Sequence, residues 1–269
     1  MGNLKLFLSE SDSLNYEIRR RFSRGKLPRL LRNRTNPRFF NHSARRINRI
    51  MFGKDYKYLE IGVADGTTLQ SVNSRAKHGV DPFPLFNTSR LPHGTTFDTA
   101  TSNSYFDSIG KDEKFDFIFL DGLHESNQLF LDFINAIKHI TIPGWILIDD
   151  IVPSDSISAY ASMEDSYKAR GVTQAEGFPW HGDCYKLLPT ILNYFPKIEV
   201  FLIMYPDNPQ LLLRINQEVT SREINQINLI TETNFFEVFS SNKLKQYPIY
   251  IEEILIKDLS NRGLIEKHP

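Results

Sequence analysis

Residues 115–125 read FDFIFLDGLHE. From Phe115 to Asp121 the run is almost continuously apolar, too short for a helix and closed by a polar turn, which predicts a buried strand. It ends on Asp121-Gly122-Leu123-His124, and a helix is expected from about Glu125 to His139. The turn pair Pro143-Gly144 then introduces a second apolar run, Gly144 to Asp150 (GWILIDD), which also ends on acid. Two buried strands joined by a helix predict a parallel crossover, with their acidic ends at one edge of a sheet.

The same alternation extends in both directions. Tyr56 to Gly62 (YKYLEIG) reads as a strand, Thr67 to Ser74 as the start of a helix, and His78–Asp81 and Thr95–Asp98 as short strands. Upstream, Ala44, Ile47, Ile50 and Met51 fall at helical spacing between His42 and Phe52, and Gly53 closes that helix. Downstream, helices are expected at Ser154–Arg170 and Asp183–Tyr194. Strands at Ile198–Tyr205 and Gln210–Ile215 flank the turn PDNP and predict a hairpin. The expected fold is α/β: a doubly wound, mostly parallel seven-stranded sheet with a terminal antiparallel hairpin. Residues beyond Val219 read as mixed helix and loop.

Composition bounds the alternatives. A hydrophobic fraction of 41% with 24% charged residues is that of a globular chain with a core. No apolar run approaches the length of a membrane span, and the N-terminus (MGNLKLFLSESDS) lacks a long apolar region and a small-residue cleavage site. These features predict a cytoplasmic protein. The single cysteine, Cys184, excludes an internal disulfide and a multi-cysteine metal site. The formal net charge is +0, yet Ile18–Lys54 holds thirteen Arg or Lys and no acid, so the remainder carries 0 − 13 = −13. A basic arm over residues 1–40 is expected to fold against the acidic body or a second subunit, the latter giving a homo-oligomer. No aromatic-interleaved nucleic-acid motif accompanies it, so nucleic acid is not the expected partner.

The chemistry-bearing residues lie at the strand ends. In Glu60-Ile-Gly62-Val-Ala-Asp65-Gly66 a strand turns into a helix through small residues, leaving free amides at the helix start. A pyrophosphate loop would read G-x-G-x-x-G; here Glu60 and Asp65 favour a cationic ligand. Asp81, ending the next strand, is placed to accept from ribose hydroxyls. Asp98 and Thr101-Ser102-Asn103 are placed to contact a base. Asp121, Asp149 and Asp150 converge if their strands are neighbours, and three close carboxylates repel unless a hard divalent cation joins them. His124, three residues after Asp121, faces the same region with a pKa suited to proton transfer. Singly, each of these residues also has an ordinary role as a helix cap or strand end.

YLEIGVADGTTLQSV, GVDPFP, FDFIFLDGLHE and PGWILIDD together resemble class I S-adenosylmethionine-dependent methyltransferases, of the metal-dependent macrocin and mycinamicin sugar O-methyltransferase type. The resemblance covers roughly residues 40–195. It implies a Rossmann-like methyltransferase domain over 41–218, between the arm of 1–40 and an extension at 219–269. It implies cofactor contacts at Glu60, Gly62, Asp65, Asp81, Ser102 and Asp121, and Mg2+ or another divalent cation on Asp121, Asp149 and Asp150. His124 matches the family's general base, and Trp180 and His181 lie in a segment near the substrate. The implied reaction is methylation of a hydroxyl on a sugar, small natural-product or polysaccharide acceptor. Three other readings stand beside it: a nicotinamide oxidoreductase, an RNA methyltransferase using the basic arm, and a non-catalytic scaffold keeping the fold.

Overall fold

The computed structural model describes residues 41–172, 179–220, 227 and 232–267. Its strands are β1 (Lys57–Ile61), β2 (Ala76–Val80), β3 (Thr95–Asp98), β4 (Phe115–Leu120), β5 (Ile140–Ile148), β6 (Glu199–Tyr205), β7 (Gln210–Ile215) and β8 (Ile249–Ile251). They form one sheet in the order β3-β2-β1-β4-β5-β7-β6-β8. β1 to β5 pair in parallel, β7 runs antiparallel to β5 and β6, and β8 is parallel to β6. The helices are α1 (His42–Ile50), α2 (Thr67–Ser71), α3 (Ser102–Ser108), α4 (Ser126–His139), α5 (Met163–Arg170), α6 (Leu187–Tyr194), α7 (Phe235–Val238), α8 (Ser241–Leu244) and α9 (Glu252–Asn261).

Successive strand residues face opposite sides, and both sides are covered. Leu59, Ile118, Ile146 and Leu211 pack with Phe133 of α4 and Leu187 of α6. Tyr58, Phe117, Phe119 and Leu147 pack on the other face with Ile47 of α1 and Leu255 of α9. This two-sided burial explains why the strands read as unbroken apolar runs.

Three expectations need correction. The sheet has eight strands rather than seven, because Ile249–Ile251, in the stretch expected to be helix and loop, pairs with β6. The helix expected from Ser154 starts only at Met163. Asp155 accepts from the amides of Ile157 and Ser158, both bonds of a local turn that competes with helix, and Ser162 then caps α5 by accepting from Asp165 N. Pro143-Gly144 lies inside β5 and not ahead of it: Ile140 already pairs with Phe115, and the ladder shifts register before Trp145. An irregular ladder is where a proline is tolerated.

The basic arm at 1–40 lies outside the described residues. Of the basic stretch that is described, Arg45, Arg46 and Arg49 all bind acids of this same chain, chiefly Glu252 and Glu253 of α9. Among the described residues no helix is long and apolar enough to cross a membrane.

Phe133 is fully buried and meets Phe195 edge-to-face at 5.2 Å. Phe133→Ala is expected to cost about 3–5 kcal/mol of stability, read as a lowered denaturant midpoint at unchanged slope. A loss under about 1 kcal/mol would show that α4 does not pack on the sheet as described.

Candidate active site

Register builds the site. Ile61 is level with Leu120, and Leu120 with Ile148, so the next residues, Gly62, Asp121 and Asp149, leave the sheet side by side. The ladder continues one step beyond the strands: Asp121 N donates to Ile61 O at 2.9 Å and Asp149 N to Leu120 O at 3.0 Å. Gly62 has φ +83°, and a Cβ there would lie 2.0 Å from the Asp121 carbonyl oxygen. Only glycine fits, on backbone conformation and on space.

On one side of this edge lies the β1–α2 loop. Asp81 Oδ2 accepts from Val63 N and Ala64 N, both at 2.9 Å, and Oδ1 accepts from Phe83 N at 2.7 Å. Its carboxylate thus folds the loop and keeps spare acceptor capacity, since ionised carboxylates offer about four lone-pair sites. Asp65 accepts from Thr67 N at the start of α2. Glu60 is buried and accepts from the Tyr58 hydroxyl at 2.7 Å. Burial pushes its carboxyl up to about 8, against the lowering effect of Tyr58 and Lys77. Ser102 opens α3 and accepts from Gln128 of α4 at 3.1 Å, which ties the β3–α3 turn to the β4 side.

On the other side, ligand atoms of Asp121, His124 and Asp150 lie within 4.8 Å of one another. His124 Nε2 is 3.1 Å from Asp150 Oδ2 and 4.0 Å from Asp121 Oδ1. Its Nδ1–H donates to the Trp180 carbonyl at 3.2 Å. That leaves Nε2 of the neutral ring as a lone pair aimed at carboxylates, an arrangement that calls for a proton or a cation. Burial lowers the His124 pKa, partly offset by the Trp180 carbonyl and the charge of Asp149. Desolvation, then the charges of Asp149, Asp150 and Glu60, hold Asp121 well above the usual carboxylate range.

Asp149 is set apart from that trio. Its Oδ1 accepts from Asn208 Nδ2 at 2.6 Å and from Asp150 N at 2.9 Å, and its Oδ2 is 3.9 Å from His42 Nε2. Burial raises its pKa, but the contacts from His42, the Asp150 amide and Gln210 outweigh burial and keep it low. Asp150 has φ +56°, which turns its side chain toward His124 and away from Asp149's partners. His181 is buried with Nε2 3.9 Å from Asp150 Oδ1.

The loop carrying Trp180 and His181 is seated by close approach. Gly182 has φ +63°, and a Cβ there would fall 1.6 Å from His124 O. The Trp180 ring stacks on the His124 ring, with centroids 5.3 Å apart. Asp183 accepts from the amide and hydroxyl of Ser126 at the start of α4. Trp180, Asp183, Glu125, Ser126, Ser162 and Glu164 line a cleft of about 570 Å³ beside the imidazole. Tyr185, a second aromatic able to stack on a ring, is buried against Phe235 and Phe239. Sequence reasoning missed His42, Asn208 and Gln210, which approach Asp149 from elements distant in the chain.

Residues 59–151 match a family described as a methyltransferase domain. That stretch runs from β1 through the acidic tip of β5 and contains the loop, Asp81 and the carboxylate edge. Over that stretch the chain carries a methyltransferase domain, built on a doubly wound, Rossmann-like sheet. Among solved structures, it is similar to cofactor-bound Rv0187 from MTB, at 14% identity over 78% of this chain and 92% of that one, TM-score 0.48. An O-methyltransferase from Bacillus cereus in complex with SAH is 14% identical over 79% and 94%, TM-score 0.45. The N-methyltransferase NodS from Bradyrhizobium japonicum WM9 is 13% identical over 66% and 96%, TM-score 0.40. No curated protein matches the chain.

Glu60 makes stability depend on pH. Its carboxyl ionises near 4.5 in the unfolded chain and at about 8 in the fold. Between those values the native state holds a proton that the unfolded state has lost, so stability is fully present below 4.5 and falls as pH rises toward 8. The slope is at most about 1.4 kcal/mol per pH unit. Glu60→Gln is expected to flatten it, as read by denaturant titrations at pH 5 and pH 8; an unchanged slope would place the titration elsewhere.

Proposed function

We propose that the protein transfers a methyl group to a hydroxyl of a sugar, small natural-product or polysaccharide acceptor, assisted by Mg2+ or a similar divalent cation. The observation that carries this reading is the convergence of Asp121, His124 and Asp150 within 4.8 Å at the open edge of a methyltransferase sheet. The two carboxylates form a hard oxygen donor pair, compatible with Mg2+ or Mn2+, and the imidazole lies beside them to take a proton. Asp121, whose pKa burial and then its acidic neighbours raise, supports the same reading, since a cation would relieve both. Asp149, fixed by Asn208 beside Asp150, completes the acidic edge.

Glu60, Gly62, Asp65, Asp81 and Ser102 are proposed as the cofactor side. The acids Asp65 and Asp81 at the β1–α2 loop suit S-adenosylmethionine, which carries sulfonium and ammonium charges and supplies an electrophilic methyl carbon. A divalent cation at the carboxylates would acidify a coordinated hydroxyl and fix its direction. His124 Nε2 takes the hydroxyl proton, with Nδ1–H held on the Trp180 carbonyl so that the ring keeps the required tautomer. Trp180 offers an apolar face to a sugar ring, and His181 lies against Asp150 on the acceptor side.

Calorimetric titration with S-adenosylmethionine and its demethylated product, each with and without Mg2+ after chelation, tests this reading. Binding of both cofactor forms is expected, with a separate magnesium signal lost in Asp121→Ala and weakened in Asp149→Asn. Absence of any magnesium signal would remove the metal. His124→Ala is expected to keep cofactor and metal affinity while turnover falls about 10²-fold or more. Loss of metal affinity in that variant would make His124 a ligand and not the base.

A further inference from the structure

Arg46 is completely buried at mid-helix in α1, and every polar atom of its guanidinium group is engaged. Nε donates to Glu252 Oε2 at 2.8 Å, Nη2 to Pro206 O at 2.7 Å, and Nη1 to Asn208 O at 2.6 Å and Gln210 Oε1 at 2.7 Å. Glu252, equally buried on α9, also accepts from Arg45 and Arg49. Three of the four Arg46 contacts therefore hold the β6–β7 turn, residues 206–210. From that turn Asn208 Nδ2 reaches Asp149 Oδ1 at 2.6 Å, and Gln210 Nε2 returns to Ser43 of α1 at 2.7 Å.

A fully buried arginine is expensive unless completely paired, and a buried ion pair replaced by apolar residues is often more stable. What the guanidinium does that an apolar side chain cannot is grip two backbone carbonyls and an amide oxygen in one plane. We infer that Arg46 is a positioning residue for the acidic edge: with Glu252 as counterion, it clamps the β6–β7 turn so that Asn208 fixes the Asp149 carboxylate. Asp149 in turn accepts from the Asp150 amide and sets the backbone from which Asp150 turns to His124. The C-terminal helix α9 thereby takes part in the site without touching it.

The test uses the full-length protein and two variants. Arg46→Lys keeps the charge but cannot make the planar set of contacts; Asn208→Ala cuts the relay beyond Arg46 and leaves the ion pair intact. Hydrogen exchange at the Asp150 amide is read by NMR in chelator, and Mn2+ affinity by electron paramagnetic resonance. Both variants are expected to exchange Asp150 roughly 10-fold faster and to bind Mn2+ about 10–100-fold more weakly. S-adenosylhomocysteine affinity and the β1 and β4 amides should stay unchanged. Unaltered Asp150 exchange in the two folded variants overturns the inference. So does a parallel loss of homocysteine-form affinity and core protection, which is mere destabilisation. The Mn2+ arm rests on the proposed metal; if the wild-type protein takes up no Mn2+, that proposal fails while Asp150 exchange still decides the role of Arg46.

Discussion

The parallel register of β1, β4 and β5 is the constraint on which the rest of the molecule depends. Because Ile61, Leu120 and Ile148 are level, whatever follows each of them arrives at one edge within the spacing of adjacent strands. Glycine follows the first, and its missing side chain is filled by the Asp121 backbone. Acids follow the other two. The hydrophobic strands supply the free energy that forces these acids together, since Phe117, Ile118, Phe119, Ile146 and Leu147 are fully or nearly fully excluded from water. Electrostatic repulsion at the edge is thus imposed by core packing.

The edge divides its carboxylates by environment. Asp149 is wrapped by Asn208, His42 and the Asp150 amide, which keep its pKa low; Asp121, with no comparable set of donors among the described residues, is driven the other way by burial and then by the neighbouring charges. Asp150, with its left-handed backbone, turns toward two imidazoles, of His124 and His181. One short acidic stretch therefore presents one carboxylate held from behind and one turned to the imidazoles. The same division separates the β1–α2 loop, organised by Asp81, from the side governed by His124 and Trp180.

The C-terminal segment changes how the sheet is read. β8 adds a strand beyond the hairpin, and α9 brings Glu252 to the arginines of α1. α1 then lies between the end of the chain and the β6–β7 turn, with His42 at its first residue facing Asp149. α1 and α9 pack apolar residues on the sheet as the repeat does, and ion pairs and hydrogen bonds in addition hold them against the acidic edge.

Most strands, the mostly parallel sheet and the acidic strand ends were legible in the sequence, because two-sided burial writes itself as apolar runs and their ends as sudden polarity; the order of the strands was not. Thr95–Asp98 and Gln210–Ile215 fall where the pattern places them. The late start of α5 was not legible, because Ser154–Ser158 form a turn through side-chain bonds to nearby amides, and such a turn leaves hydrophobic spacing unchanged. β8 was not, because a three-residue strand carries no period and exists only where β6 offers an edge. Nor were His42, Asn208 and Gln210, which meet at Asp149, or Arg46, which holds the β6–β7 turn; these contacts join segments far apart in the chain, as Gln210 to Ser43 across 167 positions. A sequence records which side chains want burial and where strands stop. Which distant polar atoms meet is decided only when helices dock, since each such contact depends on several surfaces at once.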